Sequence, residues 1–148
     1  MWRQFVAALI LCTSNVGIHG LGTYAILHWI LRALKNRSSV SLARAGWIML
    51  RLVVVLLSLH ALEVAVWAQF YASWRCFPDG ETAYYYSLVT YTTLGQGDVL
   101  LPRAWRITGG WEAMIGVLMF GWSTAALIAF AQYVHTAEVK KYSSGAAE

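Results

Sequence analysis

The sequence predicts an all-α membrane protein: three helices long enough to span a bilayer, a fourth too short to cross, and a non-helical strand beside it. Three observations carry this. Apolar residues make up 59% of the 148-residue chain and charged residues 12%, about half the charged share of a soluble domain. Apolar runs over residues 4–34, 44–71 and 104–137 each exceed the roughly 20 residues needed to cross a hydrocarbon core. Between the last two lies Thr90-Tyr91-Thr92-Thr93-Leu94-Gly95-Gln96-Gly97-Asp98. Two glycines in three residues disfavour helix there. Non-helical backbone at membrane depth must be wrapped in protein or line a watery path.

Charge and cysteine content narrow the function. The formal charge is +4, but the basic residues gather at the ends of apolar runs, as membrane proteins place them. No nucleic-acid partner is implied. Cys12 and Cys76 form neither a zinc pattern nor a disulfide framework. No Ser/His/Asp set or phosphate loop is present, so the chain is not read as an enzyme, and no cofactor is implied.

Residues 1–43 are read as an N-terminal spanning helix followed by a basic loop. Arg3 and the run Phe5–Cys12 resemble a signal peptide, but no Ala-x-Ala site follows and the apolar run continues. The expectation is an uncleaved helix, with Asn15, His19 and His28 facing its neighbours and Gly20-Leu21-Gly22 allowing close contact. Arg32, Lys35, Arg37, Arg44 and Arg51 cluster around one short connection, which the positive-inside rule places in the cytoplasm. Arg37, Arg44 and Arg51 recur every seventh residue, too sparsely for a voltage sensor. They are read as headgroup anchors.

Residues 44–71 form the second span, running outward. His60, Glu63 and Trp67 fall at i, i+3 and i+7, on one helical face. Ionisable groups in a span mark a functional site by default. Three readings stay open: a satisfied polar cluster, a pH sensor at His60, or a bound metal. For a metal, His-x-x-Glu supplies too few ligands unless other residues join. Pro78-Asp79-Gly80 signals a turn, after which Asp79, Glu81 or Thr82 caps a short helix over 82–92. The third span, 104–137, carries Glu112 in its outer part. A polar tail follows at 138–148.

The stretch Thr90–Asp98 resembles the selectivity-filter signature of the potassium-channel pore family, Thr-x-x-Thr-(Val/Ile/Leu)-Gly-Tyr-Gly-Asp. Tyr84-Tyr85-Tyr86-Ser87-Leu88-Val89 stands where that family has its aromatic pore helix. Thr124-Ala125-Ala126-Leu127, with Gly116 and Gly121 before it, resembles its inner helix. The likeness covers roughly 44–136 and leaves 1–43 outside. It implies a pore domain over 44–137: outer helix 44–71, re-entrant pore helix 82–92, filter 93–98 and inner helix 104–137. It also implies a fourfold homotetramer, which point-group symmetry makes natural. The N-terminus would lie outside and the C-terminus in the cytoplasm, in a bacterial inner membrane.

The resemblance assigns roles residue by residue. Thr92 and Thr93, with the carbonyls of Leu94, Gly95 and Gln96, would bind a dehydrated monovalent cation; Gly97 would permit the final turn and Asp98 would sit at the mouth. Tyr85, Tyr86 and Val89 would support the filter, with His60, Glu63 and Trp67 behind. Gly116 and Gly121 would be a gating hinge or close-packing points. Two departures stand out. Gln96 replaces the family's Tyr or Phe, so potassium conduction with weakened selectivity, extending to sodium, is expected, with a poorly selective monovalent cation channel or a non-conducting, regulatory membrane subunit as the alternatives. Val89 occupies the position of the Glu that braces the filter Asp, so Glu112, Glu63 or His60 is expected to take over that brace.

Overall fold

The computed structural model describes residues 2–34 and 41–145. Within these the chain is helical apart from two loops and the strand. α1 spans Trp2–Leu34, α2 Leu42–Ser73, α3 Gly80–Tyr91 and α4 Arg106–Gly145, the last entered through a 3₁₀ turn at Arg103–Trp105. Three helices are long and apolar enough to cross a membrane: α1, α2 and the stretch Arg103–Val139 that includes most of α4. Most of the basic connection expected at 35–43 lies outside the described residues.

The ends of the elements follow local chemistry. α2 closes in a Schellman arrangement: Cys76 N–H donates to the Tyr71 carbonyl and Arg75 N–H to the Ala72 carbonyl, both at 3.0 Å. Arg75 takes the left-handed conformation this needs, at φ +51°. Of the three capping candidates, Asp79 caps α3. Its Oδ1 accepts from Thr82 N–H at 2.7 Å, so α3 begins at Gly80. α4 does not stop at 137. No glycine or proline interrupts 122–144, and the residues expected to form a tail continue the helix to Gly145.

The Asp79 cap has a pH consequence. The Thr82 amide holds the Asp79 carboxyl below its ordinary range. A depressed carboxyl contributes stability that is fully present above its unfolded pKa and is lost as pH falls through the lower folded value. Asp79→Ala should therefore destabilise at neutral pH, and the gap to the parent should close below about pH 4. Thermal melts at both pH values check this.

α3 packs between α2 and α4, while α1 lies against α2 and α4. Two cores result. One surrounds the end nearer the strand and includes Leu11, Trp67, Tyr71, Ala83, Tyr91, Trp105 and Ile115. The other joins the far ends of three helices through Ile30, Ile48, Leu52, Leu56 and Phe130. α1 comes close to α2 at Gly22, where a side chain would run into Leu59. Arg51 lies 5.1 Å from the Trp47 ring and 5.6 Å from that of Trp29, consistent with an anchor at the apolar boundary. Leu9, Leu57, Leu118 and Ile128 remain exposed on a single chain. Lipid tails or further copies of the chain must cover them.

Candidate functional site

The strand begins where α3 runs out. Thr92 N–H still bonds the Leu88 carbonyl at 3.1 Å, and its hydroxyl donates to the same carbonyl at 2.7 Å. The backbone then changes hand at every second residue: φ is +61° at Thr93, +55° at Gly95 and +80° at Gly97, with Leu94 and Gln96 at ordinary negative φ. A β-branched residue at positive φ costs about 1–3 kcal/mol and persists only where its surroundings impose it. Two hydrogen bonds do so here. Thr93 N–H donates to Thr90 at 2.9 Å, and Gly95 N–H to Val89 at 3.2 Å. No described residue of the chain donates to the carbonyls of 93–97. All of 92–98 is exposed on the single chain.

At the outer end of the strand, the Tyr85 hydroxyl lies 2.8 Å from both Gln96 Oε1 and Asp98 Oδ2. One hydroxyl carries one proton. The consistent assignment has Tyr85 donating to Asp98 and accepting from the Gln96 amide, with that amide turned over. The bond to Asp98 raises the Tyr85 phenol above its ordinary range. The expectation that Glu112, Glu63 or His60 braces Asp98 is thereby corrected: α3 supplies the brace from Tyr85. Glu112 is fully buried and accepts from the Tyr71 hydroxyl at 2.8 Å. A cavity of about 180 Å³ remains between α3 and the strand, lined in part by Tyr85, Tyr86, Val89 and Asp98. Tyr86 also packs edge-on against Tyr71, with ring centroids 5.4 Å apart.

Behind the strand all four helices meet in a buried polar ring. Glu63 Oε1 lies 2.9 Å from His19 Nδ1, and Glu63 Oε2 lies 3.3 Å from His60 Nδ1. Tyr91, at the end of α3, donates its hydroxyl proton to Glu63 Oε2. Ser123 Oγ closes the ring, 2.9 Å from His60 Nε2 and 3.2 Å from His19 Nε2. Trp67, on the same face as His60 and Glu63, is buried but faces α1 instead. Its indole N–H reaches the Asn15 side-chain oxygen at 3.1 Å once that amide is turned.

Gly116 packs against the end of α3, where a side chain would meet the Tyr91 carbonyl; Gly121 has open space. The sequence singles out His60 and Glu63, but neither Ser123 nor the joining of His19 to them. The usable signal is position: His19, His60 and Ser123 each sit near the middle of a spanning helix, hence at similar depth.

A family model described as "Ion channel" matches residues 46–133. The chain belongs to this ion channel family. The match runs from early α2 to the second half of α4 and includes the whole strand. It leaves the channel's α1 outside, so His19 reaches the ring from the unmatched part. No curated protein and no solved structure matches the channel's sequence or fold.

Proposed function

We propose that four copies of the chain assemble around the 93–98 strand as a cation pore of the potassium-channel type. The carrying observation is the alternation of φ sign along Thr93, Leu94, Gly95, Gln96 and Gly97, in a strand whose carbonyls have no partner among the described residues of the chain. Alternating hand turns successive peptide planes the same way, which gathers their carbonyl oxygens on one side. A ring of such oxygens replaces the water around a cation. One strand supplies one wall, and cyclic symmetry supplies the others. Thr93 contributes hydroxyl and carbonyl, and Leu94, Gly95 and Gln96 contribute carbonyls. Asp98 concentrates cations at the mouth. The carboxyl end of α3 faces the start of the strand, with its partial negative charge favouring a cation there. The N-terminus lies outside and the α4 end in the cytoplasm, in a bacterial inner membrane.

Gln96 favours a second reading, a monovalent pore of low selectivity. In this reading a single amide and the Tyr85 hydroxyl stand where the family packs an aromatic ring, beside the cavity of about 180 Å³. A softer strand discriminates less between potassium and sodium. The test is the reversal potential of purified protein in liposomes under opposed potassium and sodium gradients. A value between zero and the potassium equilibrium potential, nearer the latter, is expected. A value at zero selects the second reading, and absence of flux overturns both.

The hydrogen bond to Asp98 makes a further prediction. This bond ties the outer end of the strand to α3. Tyr85→Phe removes it from every subunit, leaving the outer strand less constrained. The potassium-to-sodium permeability ratio should fall several-fold, with flux retained. An unchanged ratio would assign the outer strand's shape to something other than Tyr85.

A further inference from the structure

Protons in the buried ring do not add up. The five groups His19, His60, Glu63, Tyr91 and Ser123 make six close polar contacts: four close the loop Glu63–His19–Ser123–His60, and the Tyr91 hydroxyl meets both Glu63 Oε2 and His60 Nδ1. Neutral histidines, an ionised carboxylate, a phenol and an alcohol bring four protons. The four are consumed as follows. His19 Nδ1–H serves Glu63 Oε1 and Tyr91 O–H serves Glu63 Oε2. Ser123 O–H then serves His19 Nε2, and His60 Nε2–H serves Ser123. In this tautomer His60 Nδ1 is left as a lone pair facing two oxygens, Glu63 Oε2 and the Tyr91 hydroxyl, each at 3.3 Å. With both histidines neutral, the Glu63 carboxylate charge has no counter-charge in the loop, and Glu63 and His19 are fully buried. An uncompensated buried charge is costly. No lysine or arginine pairs with Glu63 among the described residues.

We propose that His19, His60 and Glu63 form a binding site for a divalent transition-metal ion of the zinc class. The three residues each offer a donor atom, all within 4.8 Å of one another. In a tetrahedral site with bonds of about 2.1 Å, donors lie about 3.4 Å apart. Two imidazoles and one carboxylate are borderline-soft donors that suit zinc over calcium or magnesium. The Tyr91 hydroxyl, already bonded to Glu63, or a water supplies the fourth position. The cation takes the lone pair of His60 and pairs with the Glu63 carboxylate. Ser123 then orients both rings through their Nε2 atoms, the supporting role that outer partners play around metal-bound histidines.

The site joins parts that the family match keeps apart. His19 comes from α1, His60 and Glu63 from α2, and Tyr91 ends the helix that leads into the strand. A bound ion therefore fastens the extra helix to the pore segment.

The test is metal content of the purified full-length protein, as isolated and after exposure to zinc, followed by cobalt substitution. About one ion per chain is expected, with the intense visible absorption of four-coordinate cobalt. His19→Gln and His60→Gln should each abolish both signals. His28→Gln and His135→Gln, on exposed histidines, should change neither and serve as controls for adventitious surface binding. Because His60→Gln also removes a ring contact, circular dichroism and assembly state are recorded for each variant. Parent protein that binds neither zinc nor cobalt overturns the proposal. So does binding that survives in folded His19→Gln. Both readouts are independent of flux, so a silent pore that holds metal leaves this site standing.

Discussion

Gly95→Ala is expected to abolish ion flux while leaving the helices and the assembly intact. A side chain at Gly95 meets nothing within 4 Å in its own chain, so crowding within the chain is not the cause. The cause is the backbone. Gly95 sits at φ +55°, where an L-residue pays about 1–2 kcal/mol. In the proposed fourfold assembly this becomes about 4–8 kcal/mol. The strand can relieve it by returning residue 95 to negative φ, which swings one carbonyl per subunit away from its neighbours. Either way the proposed ring of oxygens is lost or distorted, and flux should fall at least about 100-fold. Liposome flux, alongside circular dichroism and assembly size, makes the measurement. Full flux in a well-folded Gly95→Ala protein would remove the strand from the ion path.

The second large effect concerns Gly116, and its sign is the informative part. Alanine in a helix gains about 1 kcal/mol over glycine, so a free hinge should be stabilised by Gly116→Ala. Here the added carbon would run into the Tyr91 carbonyl. That atom is backbone at the end of α3 and cannot rotate aside. Overpacking of this kind costs about 1–3 kcal/mol, enough to lower the melting temperature by several degrees. The disturbance falls directly before the strand, so flux should drop as well. Gly121→Ala, with open space around it, should raise stability slightly. Stabilisation by both substitutions would show that α4 bends at Gly116 and does not press on α3 there.

How much of this was legible in the sequence depends on which physical signal each feature leaves. Spanning helices announce themselves because hydrocarbon demands an unbroken apolar run, and the chain has three. The strand is legible because Gly95 and Gly97 follow a run of threonines and precede Asp98, the pattern of Thr90–Asp98 that resembles a filter. Burial of His60, Glu63 and Trp67 follows from their spacing on one face. Pairing between helices is less visible. In lipid both the packed and the outward faces of a helix are apolar, so no stripe reports how each one is rotated. That is why His19 looks like a generic interhelical contact until α1 is seen against α2, and why Ser123 attracts no notice at all. The brace on Asp98 is missed for a different reason. A tyrosine in an aromatic run reads as packing, and the hydroxyl of Tyr85 is what matters. The length of α4 is missed because polarity suggests a tail, whereas Glu138, Lys140 and Lys141 are good helix formers.

That length has a mechanical consequence. Forty helical residues measure about 60 Å, roughly twice the hydrocarbon thickness of a bilayer. The final turns of α4 therefore stand clear of the lipid, at the end away from Thr93. A rigid rod gripped at its protruding end works as a lever. A swing of a few ångströms there becomes a smaller, firmer push where Gly116 bears on Tyr91.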